Sequence, residues 1–277
     1  MNMTHPPRFI QHILACPDDD SPRLRYANWL DGCGNPLGEF IRLQCLLAQN
    51  PISEPHIYYE RREQELLAKF QRNWSQALLG RVDWCSFRRG FVEEVSILDR
   101  QLIKHAKELF GCAPVLDIHL KSDGRRLHAL PELPDVHHTF FLDLSSQRLG
   151  DESIERLAEA PMLTHVHGLN LGSCWLGDEG LENLFDSAYL DNLRELYLND
   201  NPITDEGIRR FVMSPIVEGL QVLDVRFTLI SKEGICVLQR VLGDKVLFGS
   251  SLTECTGGMP DRPPENGQLS QRMKPSD

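Results

Sequence analysis

Apolar residues recur at a fixed interval in the second half of the chain. Similar blocks begin, 27 residues apart, at Leu142, Leu169, Leu196 and Leu223. Within each block the first and third positions are aliphatic, which is the alternation of a short strand with one buried face. The thirteenth and sixteenth positions are also apolar, at the spacing of a helix that buries one side. A pattern that repeats at a fixed period predicts a stack of strand, turn and helix units.

The residues between strand and helix repeat as well. The sixth position is small or polar in every block: Gln147, Cys174, Asn201 and Thr228. A residue of this kind suits the place where the chain turns and backbone groups need partners. Acidic residues follow at positions ten and eleven, for example Asp205 and Glu206, where a helix dipole favours negative charge. Thr204 and Ser231 precede them as good N-caps.

Weaker strand patterns flank the four clear blocks. The stretches VEEVSI (92–97) and APVLDIHL (113–120) have strand spacing, and QLIKHAKELF (101–110) between them is typical of a helix. After the last block the period places the next strand start at residue 250, near Leu247, Leu252 and Cys255, as a C-terminal cap. Residues 257–277 are rich in glycine, proline and charge, which predicts a disordered tail.

Three short helices are predicted ahead of the repeats, within residues 1–50. Ser21-Pro22 and Asn35-Pro36 each combine an N-cap residue with a proline at the first helical position. The apolar positions of the three stripes include Phe9, Ile10, Ile13, Leu14, Leu24, Ala27, Trp29, Leu30, Phe40, Ile41, Leu43 and Leu46. We expect these helices to cover the first edge of the repeat stack, which needs a cap. Residues 51–90 are expected to form a helical linker or cap.

Two stretches resemble known families. The repeat resembles the leucine-rich repeat of the ribonuclease-inhibitor-like class, and its best-matching residues are Leu193, Leu196, Leu198, Asn201, Ile203, Thr204, Asp205, Gly207 and Ile208. The stretch DDDSPRLRYANWLDGCGNPLGEFIRLQCLLA resembles the repeat-companion domain found at the start of many bacterial leucine-rich-repeat proteins. RRGFVEEV, residues 88–95, looks like the first strand of those proteins.

These resemblances imply an α/β fold. It would be a leucine-rich-repeat solenoid over residues 91–256, a horseshoe with parallel strands on the concave side and helices on the convex side. A repeat-companion module would occupy residues 1–50. The resemblances bring no established activity, so function has to be argued from individual residues.

The net charge limits the classes of partner, and the cysteine pattern indicates the cellular compartment. The formal net charge of -11 at pH 7 weighs against nucleic acid and anionic membranes, which repel an acidic surface. No apolar run approaches the roughly 18 residues of a membrane span, and MNMTHPPRF does not resemble a secretory signal. The 8 cysteines are scattered without a C-x-x-C pair, which favours free thiols in a reducing compartment. The expected location is the cytoplasm.

Few residues suggest a reaction or a bound metal. Asp18–Asp20 could hold a cation, but a solvated turn before a helix explains them better. His165 and His167 would point to the same side of a strand, yet no third metal ligand lies nearby in sequence. Cys174 and Cys236 occupy repeat positions that explain them structurally. We therefore predict no catalytic residue, no metal ligand and no cofactor.

The basic and aromatic stretch RVDWCSFRRGF, residues 81–91, has two interpretations. It could form a nucleic-acid patch, because arginines and aromatic rings are interleaved there. Its rings could instead seal the join between the N-terminal helices and the first strand, with the arginines solvated or paired with neighbouring acids. We favour the join.

The strand residues that alternate with the buried leucines are the remaining candidate site. The last two repeats combine aromatic and arginine side chains with acids, residue types that are enriched at interaction hot spots. We predict that a partner protein binds there, on a patch formed by Tyr197, Asn199, Asp200, Asp224, Arg226 and Phe227. The alternatives are an enzyme, a hydrolase or transferase whose site is assembled only in space, and a structural subunit of a larger assembly.

Overall fold

The structure, a computed structural model, describes residues 7–49, 56–133, 138 and 140–249. The helices in those ranges are α1 Pro7–Ala15, α2 Ser21–Gly32, α3 Leu37–Gln49, α4 His56–Trp74, α5 Asp99–Cys112, α6 Gly150–Ala158, α7 Asp178–Phe185, α8 Asp205–Phe211, α9 Ile216–Gly219 and α10 Lys232–Leu242. The strands are β1 Trp84–Arg88, β2 Phe91–Leu98, β3 Asp117–Lys121, β4 Phe140–Asp143, β5 Val166–Asn170, β6 Glu195–Tyr197, β7 Val222–Asp224 and β8 Val246–Leu247. The predicted tail, 257–277, and the cap residues Leu252 and Cys255 lie outside the described residues.

All eight strands of the described chain form one sheet in sequence order, β1 to β8. Strands β2 to β8 are parallel, and β1 pairs antiparallel with β2 at the edge. The register joins Leu142 to Leu169, Leu169 to Leu196, and Leu196 to Leu223. The four block starts found in the sequence are therefore neighbours across the sheet, and the prediction of an α/β fold with parallel strands is confirmed.

Strands and helices of the repeats share one hydrophobic core. In the third repeat the strand residues Leu196 and Leu198 and the helix residues Ile208 and Phe211 are all buried, as the spacing predicts. The residues that alternate with the buried strand leucines lie on the opposite side of the sheet. We call this side, from Glu94 on β2 to Asp224 on β7, the outer sheet face.

The polar residue at the sixth position satisfies backbone groups just after the strand, as predicted, and Asn201 does so in two repeats. The Asn201 amide nitrogen donates to the carbonyl of Leu171 at 2.7 Å, one repeat back. Its amide oxygen accepts from the backbone nitrogens of Cys174 at 3.0 Å and Leu176 at 2.9 Å. These bonds join the turns of adjacent repeats where the strands end.

The aspartate at the tenth position has a role that the sequence did not reveal. Asp178 accepts hydrogen bonds from the backbone nitrogen of Thr204 at 2.8 Å and from its hydroxyl at 2.6 Å. Asp205 accepts the same pair of bonds from Ser231 at 2.8 and 2.6 Å, and Asp151 accepts one from the Gly177 nitrogen at 2.6 Å. Each aspartate thus holds the start of the next helix as well as its own first turn.

The last strand comes earlier than the period predicts. Val246 on β8 pairs with Leu223, only 23 residues before it, so a strand start at residue 250 is wrong. The physical reason is the length of the return connection. Residues 186–194 lie between α7 and β6, whereas only a 3₁₀ turn, Gly243–Lys245, separates α10 from β8.

The three predicted N-terminal helices are α1, α2 and α3, and with α4 they form a second hydrophobic core. Helix α2 begins at Ser21 itself, so Ser21 is not its N-cap; its backbone nitrogen donates to Asp19 Oδ1 at 2.8 Å. Trp29 and Leu46, expected in the buried stripes, are exposed.

Residues 51–90, predicted to be a helical linker, contain α4 but also the strand β1. Arg88 pairs with Phe91, so Arg89 and Gly90 form a two-residue hairpin loop. Both have positive φ, 47° and 93°, as a type I′ turn requires. The Arg-Gly dipeptide was the signal for this hairpin.

Candidate functional site

The N-terminal helices are fixed to the sheet by a buried ion pair. Arg23 on α2 donates to Glu93 on β2 at 2.5 Å, and both side chains are fully buried. A second guanidinium nitrogen of Arg23 donates to the carbonyl of Pro17 at 2.8 Å. Burial raises the pKa of Glu93, and the charge of Arg23 acts against that rise. The two motif stretches, DDDSPRL and RRGFVEEV, therefore contact each other.

Gln44 and Gly90 complete this joint. The Gln44 side-chain oxygen on α3 accepts from the backbone nitrogen of Gly90 at 2.6 Å. A Cβ at position 90 would lie 2.3 Å from Cγ1 of Ile41, so only glycine allows the hairpin to approach α3 this closely. Ile41 and Gln44 of the N-terminal motif thus pack directly against the hairpin.

The stretch 81–91 is used within the protein in the way the join interpretation predicts. Phe87 packs edge-on against Phe40 and Trp74, with ring centroids 5.6 and 6.2 Å apart. Arg88 forms an ion pair with Asp117. Arg89 lies 3.7 Å from Asp20 and 3.8 Å from Glu93.

Three residues of the predicted patch lie together on the outer sheet face. Tyr197 and Asp224 are cross-strand partners on β6 and β7. Arg226 donates two hydrogen bonds to the buried Asp224 carboxylate, from Nε to Oδ1 at 2.9 Å and from Nη2 to Oδ2 at 2.6 Å. This hydrogen bonding raises the pKa of Arg226. The guanidinium is held in one orientation and stays partly exposed beside the Tyr197 ring.

Tyr197 is packed as well as hydrogen-bonded. Its hydroxyl donates to Glu195 at 3.0 Å, and burial together with the Glu195 charge raises the pKa of Tyr197 to about 12. Its ring centroid is 5.8 Å from that of Phe141 on β4. Phe141 reaches across β5 because position 168 is glycine: a Cβ there would lie 2.3 Å from the Phe141 ring. The repeat pattern did not indicate Phe141, because this residue lies just before Leu142, the first residue of its block.

The other three residues of the patch lie after the strands. Asn199 covers Gly172 of the preceding repeat, where a Cβ would lie 2.7 Å from the amide oxygen of Asn199. Asp200 accepts a hydrogen bond from the Ser173 hydroxyl at 2.8 Å. Phe227 is 78% exposed. The structure therefore brings Tyr197, Asp224 and Arg226 together and distributes the rest along the loops.

A second polar group occupies the other end of the outer sheet face. His119 on β3 lies between two carboxylates, with Nδ1 3.3 Å from Asp143 and Nε2 2.8 Å from Glu94. Hydrogen bonds to Asp143 and then to Glu94 raise the pKa of His119 to about 9. Ser96 is the cross-strand neighbour of His119, and its hydroxyl is buried without a hydrogen bond.

This group is the closest arrangement to a hydrolase site in the described chain, with a serine, a histidine and an aspartate on adjacent strands. A serine nucleophile needs a neutral imidazole to take its proton. At neutral pH the two carboxylates keep His119 protonated, so it cannot accept the proton of Ser96. The arrangement therefore gives no support to the enzyme alternative.

The remaining candidates do not assemble into a site. His165 lies in the 3₁₀ turn Pro161–His165 and His167 in β5, so the expectation of two histidines on one strand is wrong. Within the described ranges no three His, Cys, Asp or Glu side chains could hold a metal ion together. Burial raises the pKa of Cys174 to about 11, which leaves its thiol protonated at neutral pH; Cys236 is half-buried.

Comparison with known families supports the repeat interpretation. Residues 163–185 and 190–212 match the sequence model of the Leucine Rich repeat family. The first segment ends with α7, and the second contains β6 and α8. No curated protein matches the chain significantly. None of the helices in the described part is long and apolar enough to cross a membrane. The chain thus contains two detected leucine-rich repeats, a kind of module that commonly mediates protein–protein interaction and is typically non-enzymatic.

Proposed function

We propose that this chain binds a partner protein through the outer sheet face at β6 and β7 and the loops that follow these strands. The observation that carries the proposal is the arrangement of three side chains. Asp224 holds Arg226 in a fixed orientation, and Phe227 next to it is 78% exposed. A rigid arrangement loses little side-chain freedom when a partner binds, so more of the contact energy appears as affinity.

The finer assignments belong to the same proposal. We propose that the sheet curves into a horseshoe with this face concave, and that the repeats are of the ribonuclease-inhibitor-like class. We also propose that residues 1–50 are a repeat-companion module, 51–90 a cap and 91–256 the solenoid of a bacterial protein. The separate hydrophobic core of α1 to α4 supports a boundary between these helices and the solenoid, and it joins residues 1–50 to the helix of residues 51–90. The free thiols of Cys16, Cys33, Cys45, Cys85, Cys112 and Cys174 support a reducing compartment such as the cytoplasm.

The partner in this proposal is neither a nucleic acid nor a membrane. The formal net charge of -11 opposes binding to phosphate-rich surfaces. In the 81–91 stretch, the best candidate for such binding, Arg88 lies beside Asp117 and Arg89 lies beside Asp20 and Glu93.

The proposal is tested by crosslinking and pull-down from the lysate of the native host. Wild-type protein is compared with a Tyr197→Ala, Phe227→Ala double variant. A Met213→Ala, Val241→Ala variant is the control, because these side chains are 83% and 50% exposed and lie outside the patch. We expect a protein recovered by the wild type and the control but not by the patch variant. The purified partner should then bind the patch variant at least tenfold more weakly.

Equal recovery by all three proteins would contradict the proposal. A wild-type chain that self-associates, and loses this property with the patch substitutions, would favour the structural-subunit alternative.

A further inference from the structure

A row of exposed apolar side chains runs along the loops that follow the repeat strands. We call it the loop ridge and define it as the fifth and seventh positions of the four repeats. Its apolar members are Trp175, Pro202, Phe227 and Leu229. Phe227 is 78%, Leu229 67% and Trp175 64% exposed, so these side chains contribute little to the core.

The loops that carry the ridge are stacked in register. The Leu229 backbone nitrogen donates to Ile203 at 2.9 Å, which sets Leu229 beside Pro202 in the preceding repeat. The Arg148 guanidinium lies 5.2 Å from the centre of the Trp175 ring, one repeat further back. Between them, the Asn201 side-chain oxygen accepts from the backbone nitrogens of Cys174 and Leu176, on either side of Trp175. The turns that carry the seventh positions are therefore linked from one repeat to the next, and Phe227 lies two residues from Leu229.

The two aromatic residues of the ridge have a backbone conformation that disfavours them. Trp175 has φ 64° and Phe227 has φ 58°, in the left-handed region where bulky side chains are unusual. Ser173 and Asp200, at the repeat position that Phe227 occupies, also have positive φ, so the turn itself imposes this geometry. An aromatic side chain there strains the backbone and also exposes apolar surface to water. Because the folded chain gains little from either, these residues point to a function outside the fold.

The surroundings of the ridge indicate the charge of its ligand. Each repeat places an exposed glutamate at its eleventh position, at the start of the helix that follows the ridge: Glu152, Glu179, Glu206 and Glu233. Asp200 adds a further exposed carboxylate at the fifth position. Within the ridge itself, the only cation is Arg148, which lies over Trp175. Glu152 is paired with Arg156, and Glu206 with Arg209 and Arg210. Glu179 and Asp200 form no ion pair within the described residues, so a ligand that covers the apolar row meets negative charge beside Trp175 and Pro202.

We propose that the loop ridge docks a segment of a partner protein that carries apolar side chains flanked by lysines or arginines. Its apolar side chains cover Trp175, Pro202, Phe227 and Leu229, and its cations face Glu179 and Asp200. This inference rests on the proposed function for the class of partner. The two surfaces share Phe227, but Trp175, Pro202 and Leu229 are not among the six residues of the predicted patch.

The test uses a display library of random twelve-residue peptides. The library is selected on the wild-type chain and counter-selected on a Trp175→Ala, Leu229→Ala variant. We expect the enriched peptides to carry at least two large apolar residues and a net positive charge. Enrichment of acidic or purely polar peptides, or no enrichment over the variant, would overturn the proposal.

Affinities of one enriched peptide then separate the two proposals. Fluorescence anisotropy should show at least tenfold weaker binding to the Trp175→Ala, Leu229→Ala variant, unchanged binding to Met213→Ala, Val241→Ala, and weaker binding at high salt. A Tyr197→Ala variant that binds the peptide normally leaves the ridge valid. The host-partner experiment repeated with Tyr197→Ala alone then decides on the outer sheet face, because Tyr197 is not part of the ridge. Equal loss in the Met213→Ala, Val241→Ala variant would overturn the ridge proposal, as would a wild-type dimer that the ridge substitutions dissociate.

A second variant separates an effect on peptide binding from an effect on folding. Asparagine adopts positive φ more readily than phenylalanine, so Phe227→Asn should keep or raise the thermal midpoint while it weakens peptide binding at least fivefold. A lower midpoint together with normal peptide binding would show that Phe227 serves the fold, against the proposal.

Discussion

Asp178 of one repeat holds Thr204 of the next, with both of its carboxylate oxygens engaged. Oδ1 accepts from the Thr204 backbone nitrogen at 2.8 Å, and Oδ2 accepts from the Thr204 hydroxyl at 2.6 Å. The same hydroxyl accepts from the Glu206 backbone nitrogen at 3.2 Å and so caps α8. The N-terminus of a helix is therefore positioned by the repeat before it, and the two repeats are coupled in stability.

We predict that Asp178→Ala lowers the free energy of unfolding by about 1–3 kcal/mol, because it leaves two donors of Thr204 without an acceptor. Urea denaturation followed by circular dichroism measures the change. Glu179→Ala, at the exposed neighbouring position, is the control and should change stability by less than about 0.5 kcal/mol. Equal effects of the two substitutions would show that the bonds to Thr204 contribute nothing.

The effect of Gly207→Ala on stability should depend on whether Asp178 is present. A Cβ at position 207 would lie 2.4 Å from Asp178 Oδ1, so Gly207→Ala has to displace that carboxylate. In the wild-type chain we expect a loss of about 1–2 kcal/mol. In the Asp178→Ala background the clash with the carboxylate is gone, and alanine should stabilise the helix by about 0.5–1 kcal/mol over glycine.

A double-mutant cycle by urea denaturation measures this dependence. Gly111→Ala is the matched control, because a Cβ at position 111 meets no atom within 4 Å. Additive effects of Asp178→Ala and Gly207→Ala would contradict the proposed contact.

Arg23→Ala should be the most destabilising of the substitutions considered. It leaves Glu93 buried without its ion-pair partner, a change that typically costs about 3–5 kcal/mol. Because the folded-state pKa of Glu93 is raised, its contribution to stability is present below the ordinary pKa and is lost as pH rises. The loss caused by Arg23→Ala should therefore be smaller at pH 4.5 than at pH 7.5.

Urea denaturation at the two pH values, with hydrogen exchange of α1 to α3, measures this effect. The control is Arg23→Ala combined with Glu93→Gln, which removes the buried charge and should be less destabilised at pH 7.5. A pH-independent loss in both variants would show that packing of the Arg23 side chain matters, and not the charge of Glu93.

His119 should make stability depend on pH in the alkaline range. Its pKa is raised from 6.5 to about 9 by the hydrogen bonds to Asp143 and Glu94. A raised pKa means that the stabilisation is complete below 6.5 and is lost as pH rises through about 9. Because the side chain is partly exposed, solvent screening limits the effect to about 1 kcal/mol.

The midpoint of urea denaturation at pH 6 and pH 9.5 measures this loss. His119→Gln keeps hydrogen-bonding groups but cannot titrate, so its midpoint should fall less over the same range. Parallel curves for wild type and His119→Gln would contradict the assignment.

The strand register could be predicted from the sequence because a stack of equal repeats pairs equivalent residues. Leu196 pairs with Leu169 and Leu223 because all three occupy the same position of the 27-residue repeat. The position of β8 could not be predicted from the sequence. The number of residues between a helix and the next strand depends on loop length, which the period does not encode. The contact of Arg23 with Glu93 links distant residues that no periodic pattern relates.

The candidate site could be predicted only where it follows the repeat. Tyr197 and Asp224 come together because they occupy equivalent positions in adjacent repeats. Phe141 was missed because its reach depends on the absence of a side chain at Gly168. The exposure of Trp175 was missed because a sequence does not state which turn residue has positive φ.

The contact between Asp178 and position 207 also defines a unit of the repeat array that can be duplicated. The aspartate on one repeat and the glycine on the next are complementary halves of every such junction, as Asp151 with Gly180 and Asp205 with Gly234 also show. The repeats that begin at Leu169 and Leu196 carry both halves, a glycine that faces the preceding aspartate and an aspartate that faces the next glycine. A duplication of either 27-residue repeat would therefore regenerate a complete junction on both sides. The molecule could therefore lengthen by whole repeats without the evolution of a new interface.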